Sequence, residues 1–191
     1  PLKIIQKQVL PVTGMIALFS LPYFLTQAYI VTYTTQRHLP IEVGAFFMIY
    51  AIVLLIIRIV LQNQFDIIAF GHWFWISLIA TAFYILMLST MNNNLTMIMA
   101  AIGMAIGYGI IYSVLQATAM LLAPIHEQGL ASATFYIGMD IGMAVGPILG
   151  GLIEDFLPIQ DFFPVFMIII PMLLVIYLAN RQRLNKAINN H

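Results

Sequence analysis

Six uninterrupted apolar stretches, each about as long as a membrane span, constrain this chain more than any other feature of its sequence. Crossing roughly 30 Å of hydrocarbon takes about 20 helical residues. Six segments qualify, at about Val9–Thr34, Ile41–Leu61, Trp73–Thr90, Leu95–Leu122, Leu130–Ile153 and Phe162–Ala179. The separators TQRHLPIE, QNQFDIIAFGH, MNNN, APIHEQG and EDFLPIQD are too short to hold a soluble domain. All 191 residues therefore form one membrane unit. Composition agrees: 62% of the residues are hydrophobic and 7% charged, against about 25% charged in a soluble domain. A water-exposed globule is excluded. The runs are continuous where the strands of an outer-membrane barrel would alternate, so the expected fold class is all-α, a six-helix transmembrane bundle. Seven Lys and Arg balance seven Asp and Glu, which argues against nucleic acid as a partner. The absence of cysteine removes disulfides, thiol chemistry and cysteine metal sites.

Orientation follows from the basic residues. An even number of spans puts both termini on one side, together with the loops after the second and fourth spans. That side collects Lys3, Lys7, Arg58, Arg181, Arg183 and Lys186, leaving only Arg37 opposite. Both ends are expected to be cytoplasmic, in a multi-pass protein of the cell membrane. The start, PLKIIQKQVLP, has Lys3 and Lys7 four residues apart, as on the polar face of a short helix entering a membrane. It reads as the middle of a longer polypeptide. RQRLNKAINNH reads as a short polar tail.

The fifth span, GLASATFYIGMDIGMAVGPILGG, is the most specific stretch. Gly138, Gly142, Gly146 and Gly150 recur every four residues along one face, with Gly151 beside the last. Such a stripe permits close backbone contact with a neighbouring helix. Pro147 removes a backbone hydrogen bond, so a hinge or kink is expected alongside packing. Asp140 lies on the same helix near mid-membrane, where a carboxylate costs about 3 kcal/mol on insertion scales. With no Lys or Arg at its depth, it is read either as a group for proton coupling or as a neutral, hydrogen-bonded structural residue. Tyr23 and Gln27 in the first span stand four apart, and Tyr108, Tyr112 and Gln116 form a stripe in the fourth. Lipid does not favour these groups, so they face the bundle interior or a cavity. The third and sixth spans look nearly featureless, as lipid-facing supports would.

Arg58 lies near the end of the second span and Asp66 eight residues later. Snorkelling to the interface accounts for Arg58, and Asp66 reads as a solvated loop acid. The alternative is a charge latch at the cytoplasmic mouth, with Asp66 facing a helix N-terminus. Enzymatic readings fail. His126-Glu127 lacks the second histidine of a zinc protease helix, and no G-x-S-x-G or Walker A loop is present. Neither a metal site nor a cofactor is expected.

Taken together, these residues resemble the C-terminal half, spans seven to twelve, of a major facilitator superfamily transporter of the drug/proton antiporter type. The resemblance is sharpest from Tyr108 to Gly151: G-Y-G, Gln116, A-P-x-x-x-x-G-L-A-S-A-T-F-Y, Asp140, and a G-x-x-x-G-P-x-x-G-G tail similar to the antiporter motif. An N-terminal half would carry an arginine in its fourth span and an intact G-x-x-x-D-(R/K)-x-G-(R/K) loop after its second. Here Arg58 and Asp66 keep the spacing, but Gln62, Ile67, Ile68 and Ala69 replace the glycines and basic residues.

The resemblance implies two inverted three-helix repeats, half of a twelve-helix fold working by alternating access. It implies a missing N-terminal six-helix half as partner, together with lipid, a small-molecule substrate and a proton. The first, second, fourth and fifth spans would line the cavity, with Tyr23, Gln27, Tyr112, Gln116 and Tyr136 touching an amphipathic or apolar organic substrate. Proton-coupled efflux is the expected activity, with Arg58 and Asp66 at the cytoplasmic gate. The rival is a self-contained six-helix binding subunit of an energy-coupling uptake system. Span number fits it, but the first span lacks that group's A-x-x-x-A docking pattern.

Overall fold

The structure is a computed structural model that describes residues 3–189. Six helices carry the chain: α1 (Leu10–Gln36), α2 (Val43–Leu61), α3 (Phe70–Ser89), α4 (Asn94–Leu122), α5 (Gln128–Phe156) and α6 (Ile169–Asn189). No strand occurs among the described residues, and all six helices are long and apolar enough to cross a membrane. The protein is a multi-pass, all-helical membrane bundle.

Hydroxyls inside the helices show how such a chain copes without water. Thr26, Thr34, Ser89, Thr118 and Thr134 each donate to the carbonyl four residues earlier, at 2.6, 3.0, 2.7, 2.7 and 2.8 Å. An unpaired hydroxyl in hydrocarbon is costly, and the helix's own backbone is its nearest acceptor. Helix ends are closed locally. Asn93 Oδ1 accepts from Thr96 N at 2.9 Å, and Thr96 Oγ1 accepts from Asn93 N, a reciprocal cap on α4. At the other end of α1, Leu39 N donates to Thr34 O and His38 N to Thr35 O, with His38 in the left-handed region at φ 52°. That is a Schellman cap with histidine in the usual glycine place.

Packing interleaves the two halves of the chain. α1 lies against α5 and α2 against α4, so the middle helix of each three-helix repeat packs on the first helix of the other. This reciprocal pairing is what an inverted repeat produces. α4 is the centre of the bundle, with 67% of its most apolar window buried, and α1 follows with 56%. α2 and α5, at 17% and 22%, are the least covered. Their outer faces carry Ile52, Leu55, Ile56 and Ile59 on one and Ile137, Ile141, Ile148 and Leu152 on the other, all exposed.

Several sequence expectations are corrected. The sixth candidate span, Ile159–Ile188, includes Phe162, but its α-helix starts only at Ile169, because Pro158 and Pro164 leave the preceding stretch as two short 3-10 turns, Ile159–Asp161 and Pro164–Ile168. The helix then runs to Asn189, well past Ala179, since hydropathy falls where the charges begin but helix propensity does not. The supposed tail is docked: Leu184 and Ile188 are buried, Arg183 donates to Gln8 O at 3.0 Å, and Asn185 Oδ1 accepts from Gly71 N at 2.7 Å. At the start, Lys3 and Lys7 share no helix; only Lys7–Val9 turns, as a 3-10 element. Gln6 N instead donates to Thr134 Oγ1 at 3.0 Å, its side-chain amide donates to Glu127, and Lys3 pairs with Glu127 at 2.6 Å. Nor is α3 a featureless support. Half of its window is buried, and Trp73, Ser77, Thr81 and Tyr84 bury polar atoms without a hydrogen-bond partner.

Candidate functional site

The glycine stripe of α5 is spent on α1. Gly138, Gly142, Gly146 and Gly150 are all buried, and a Cβ at each would meet α1 at 2.3 Å (Thr13 O), 2.5 Å (Ser20 Cβ), 2.9 Å (Leu21 O) and 2.6 Å (Tyr29 Cε2). Only a residue without a side chain lets the two backbones come so close. Gly151 stands at the edge of this seam, its Cβ position 3.3 Å from Tyr29 Oη. α5 continues unbroken through Pro147, whose carbonyl accepts from Tyr29 Oη at 3.2 Å. The stripe therefore sets the α1–α5 distance, and with it the side chains the two helices present inward.

Beside that seam lies a cavity of about 230 Å³, lined by Tyr23, Phe24, Tyr50, Leu54, Arg58, Tyr108, Gly109, Tyr112 and Met139. Its residues come from α1, α2, α4 and α5; none comes from α3 or α6. The floor is aromatic. Tyr23 and Tyr108 stack with ring centroids 3.9 Å apart at 7°, Tyr50 leans on Tyr23 at 5.7 Å, and Tyr112 follows Tyr108 at 6.1 Å. The hydroxyls mostly satisfy one another. Tyr50 Oη donates to Tyr23 Oη at 3.2 Å, Tyr108 Oη pairs with Ser20 Oγ at 3.3 Å, and Tyr112 Oη pairs with Tyr136 Oη at 3.4 Å. The result is a flat, amphipathic surface with few unmet polar groups, suited to stacking an organic ring.

Of the five residues singled out as substrate contacts, Tyr23 and Tyr112 line the cavity. Gln27 and Tyr136 sit one hydrogen bond behind it, on Tyr23 Oη at 2.8 Å and Tyr112 Oη at 3.4 Å, and Gln116 sits two behind, donating to Tyr136 Oη at 2.9 Å. Sequence reasoning missed Phe24, Tyr50, Leu54, Gly109 and Met139 as lining residues. It noted Tyr108 in a stripe without assigning it to the site. Tyr50, Leu54 and Arg58 do carry a signal, a four-residue repeat on α2, hidden because the rest of that helix is apolar on every side.

The charged candidates separate. Arg58 lines the cavity, where it stands beside Leu54 and the tyrosines. Asp66 borders a different depression with Ala117, Met120, Leu121 and Gln128, the first residue of α5. No ion pair joins Arg58 and Asp66 among the described residues, whose carboxylate pairs all involve Glu127. Asp140 is exposed on the outward stripe of α5 between Ile137 and Ile141, and does not line the cavity. On the far side, Arg37 lies over the Tyr33 ring at 5.2 Å and donates to Met91 O at 3.4 Å, tying the end of α1 to the α3–α4 turn. No group of three or more metal-ligating side chains occurs among the described residues.

The sequence model of the Major Facilitator Superfamily matches residues 65–188. No curated protein and no solved structure matches the chain.

Proposed function

The chain belongs to the Major Facilitator Superfamily, a family of membrane transporters rather than enzymes, and from that premise we propose that it moves a small organic molecule by alternating access, as proton-coupled efflux. The observation that carries the reading is the origin of the cavity lining. Four helices share one aromatic pocket, and two of them, α2 and α5, are the least covered in the bundle. In this reading their exposed Ile-rich faces close against a second six-helix unit of the same polypeptide, and the pocket becomes one wall of a central site. A volume of about 230 Å³ is below the roughly 300–1,000 Å³ of a complete small-molecule site, as one wall should be.

Alternating access needs helices that shift as rigid rods. The α1–α5 seam supports this, because four glycines in register give two smooth surfaces with few interlocking side chains. Pro147 supplies a bending point, since the Met143 carbonyl has no N–H of residue 147 to accept. Asp140 is the coupling group in this reading. A lone carboxylate on an apolar helix face is costly when charged, so proton binding would favour the access state that removes it from water. Arg58 and Asp66 flank the cytoplasmic mouth, with both termini on that side.

The test is flux of a labelled substrate in vesicles with an imposed pH gradient. Asp140→Asn is expected to abolish pH-driven accumulation while leaving exchange of labelled for unlabelled substrate intact. Undiminished pH-driven accumulation in that variant sinks the coupling role.

A further inference from the structure

The cavity wall contains one charge, and among the described residues no carboxylate answers it. α2 presents Tyr50, Leu54 and Arg58 at four-residue steps along the lining face. Arg58 stands one turn from the end of α2, and Tyr50 lies two turns deeper, about 12 Å at 1.5 Å per residue. The pocket is therefore graded, with stacked rings at mid-depth and a guanidinium at its outer edge. Arginine cannot lose its proton in a protein, and it offers five N–H donors in a planar fork. Among the described residues Arg58 pairs with no carboxylate. Asp66 borders another depression, and Asp140 is absent from this lining.

The neutral polar groups of the pocket differ in this respect. Tyr23, Tyr50, Tyr108 and Tyr112 already share hydrogen bonds with one another or with Ser20, Gln27 and Tyr136. A permanent cation at the exposed rim of an aromatic recess gains most from an oxyanion that can take two of its donors at once. Tyrosine faces alone would favour cations, but a fixed positive charge on the same wall repels them. The expectation of an amphipathic or apolar organic substrate is thus narrowed to one that also carries an anionic group.

We infer that Arg58 selects the substrate, and that the transported class is small organic monoanions in which a flat aromatic body bears a carboxylate or similar oxyanion. The ring system stacks in the Tyr23–Tyr50–Tyr108 recess and the oxyanion accepts from the Arg58 fork. This rests on the transport reading above and narrows its substrate; Asp140 is not required for it.

The experiment is equilibrium binding of two probes, 2-naphthoate and its uncharged amide 2-naphthamide, to the natively expressed polypeptide in detergent. The native protein is expected to bind naphthoate at least 10-fold tighter than naphthamide. Arg58→Gln should weaken naphthoate about 10- to 100-fold, as loss of charge-assisted hydrogen bonds does, and naphthamide, whose neutral carbonyl accepts more weakly, far less. Arg58→Lys keeps the charge without the fork, and should retain a reduced preference. Tyr108→Ala should weaken both probes alike. Equal affinities in the native protein, or a preference that survives Arg58→Gln, overturn the inference. So does failure of both probes to bind. If Arg58→Gln does not fold, Arg58→Lys decides: a preference unchanged, or both affinities falling together, overturns it. Because pH-driven flux is read separately through Asp140, a failed anion preference with intact flux leaves the transport reading standing.

Discussion

Replacing Gly138 by alanine tests the α1–α5 seam at its tightest point. The added Cβ would stand 2.3 Å from the Thr13 carbonyl oxygen, 2.8 Å from Ile16 Cγ2 and 2.9 Å from Thr13 Cγ2. The nearest atom is backbone, so no rotamer change relieves it. Reaching ordinary contact, which begins at 3.4 Å, requires the two helices to part by about 1 Å locally. A gap of that size forfeits about a quarter to a half of each affected dispersion contact. It also stretches the bond from Thr13 Oγ1 to Thr134 O, now 3.1 Å. Overpacking of this kind costs about 1–3 kcal/mol, and the weakened hydrogen bond adds about 0.5–1 kcal/mol. Alanine's better helix propensity offsets about 1 kcal/mol. The net expectation is a loss of about 0.5–3 kcal/mol. Gly44→Ala is the control, because nothing lies within 4 Å of its Cβ position; it should be neutral or stabilise by up to about 1 kcal/mol. Equilibrium unfolding in mixed micelles, followed by helical circular dichroism, measures both. If Gly138→Ala proves as stable as Gly44→Ala, the helices are not in backbone contact and the seam argument is wrong.

Two further outcomes follow from the helix ends. His38→Gly should stabilise the fold by about 0.5–1 kcal/mol in the same assay, because His38 holds φ 52°, a conformation that crowds any Cβ; a loss of stability would mean that its side chain matters more than the strain. Glu127, in the α4–α5 connection, accepts a hydrogen bond from Lys3, which with the lysine's charge holds its carboxyl below the ordinary value. A depressed folded value contributes stability above the unfolded carboxylate range, near pH 4, and that contribution disappears as pH falls through the lower folded value. Melting temperature followed from about pH 6 down to about pH 3 should fall more steeply in the native protein than in Glu127→Gln, and identical slopes would show that the Lys3 contact has no energetic weight.

What the sequence determined by itself was set by solvent. Twenty apolar residues in a row admit one structure in lipid, so six helices, their order and their approximate limits could be read directly. The register of Gly138, Gly142, Gly146 and Gly150 was also legible, because spacing of four is a property of a single helix. Helix limits went wrong where hydropathy and helix formation part company. Pro158 and Pro164 delay α6 inside an apolar run, and the charged segment after Ala179 stays helical because Leu184 and Ile188 are buried.

Tertiary structure alone decided which faces meet. Nothing in the chain says that the glycines of α5 seat on α1, or that Tyr23 of α1 stacks on Tyr108 of α4, since both contacts join residues over 80 positions apart. The same holds for the charges. Arg58 read as a snorkelling or gating residue at a span end and Asp140 as a lone carboxylate at mid-membrane, and spacing along the chain does not say which of them faces the cavity. Packing turns Arg58 toward the cavity and leaves Asp140 on the outward stripe of α5. In a bilayer the hydrophobic effect no longer sorts faces into inside and outside, so helix orientation rests on close-packed small residues and shared hydrogen bonds. Those depend on the partner helix as much as on the helix itself.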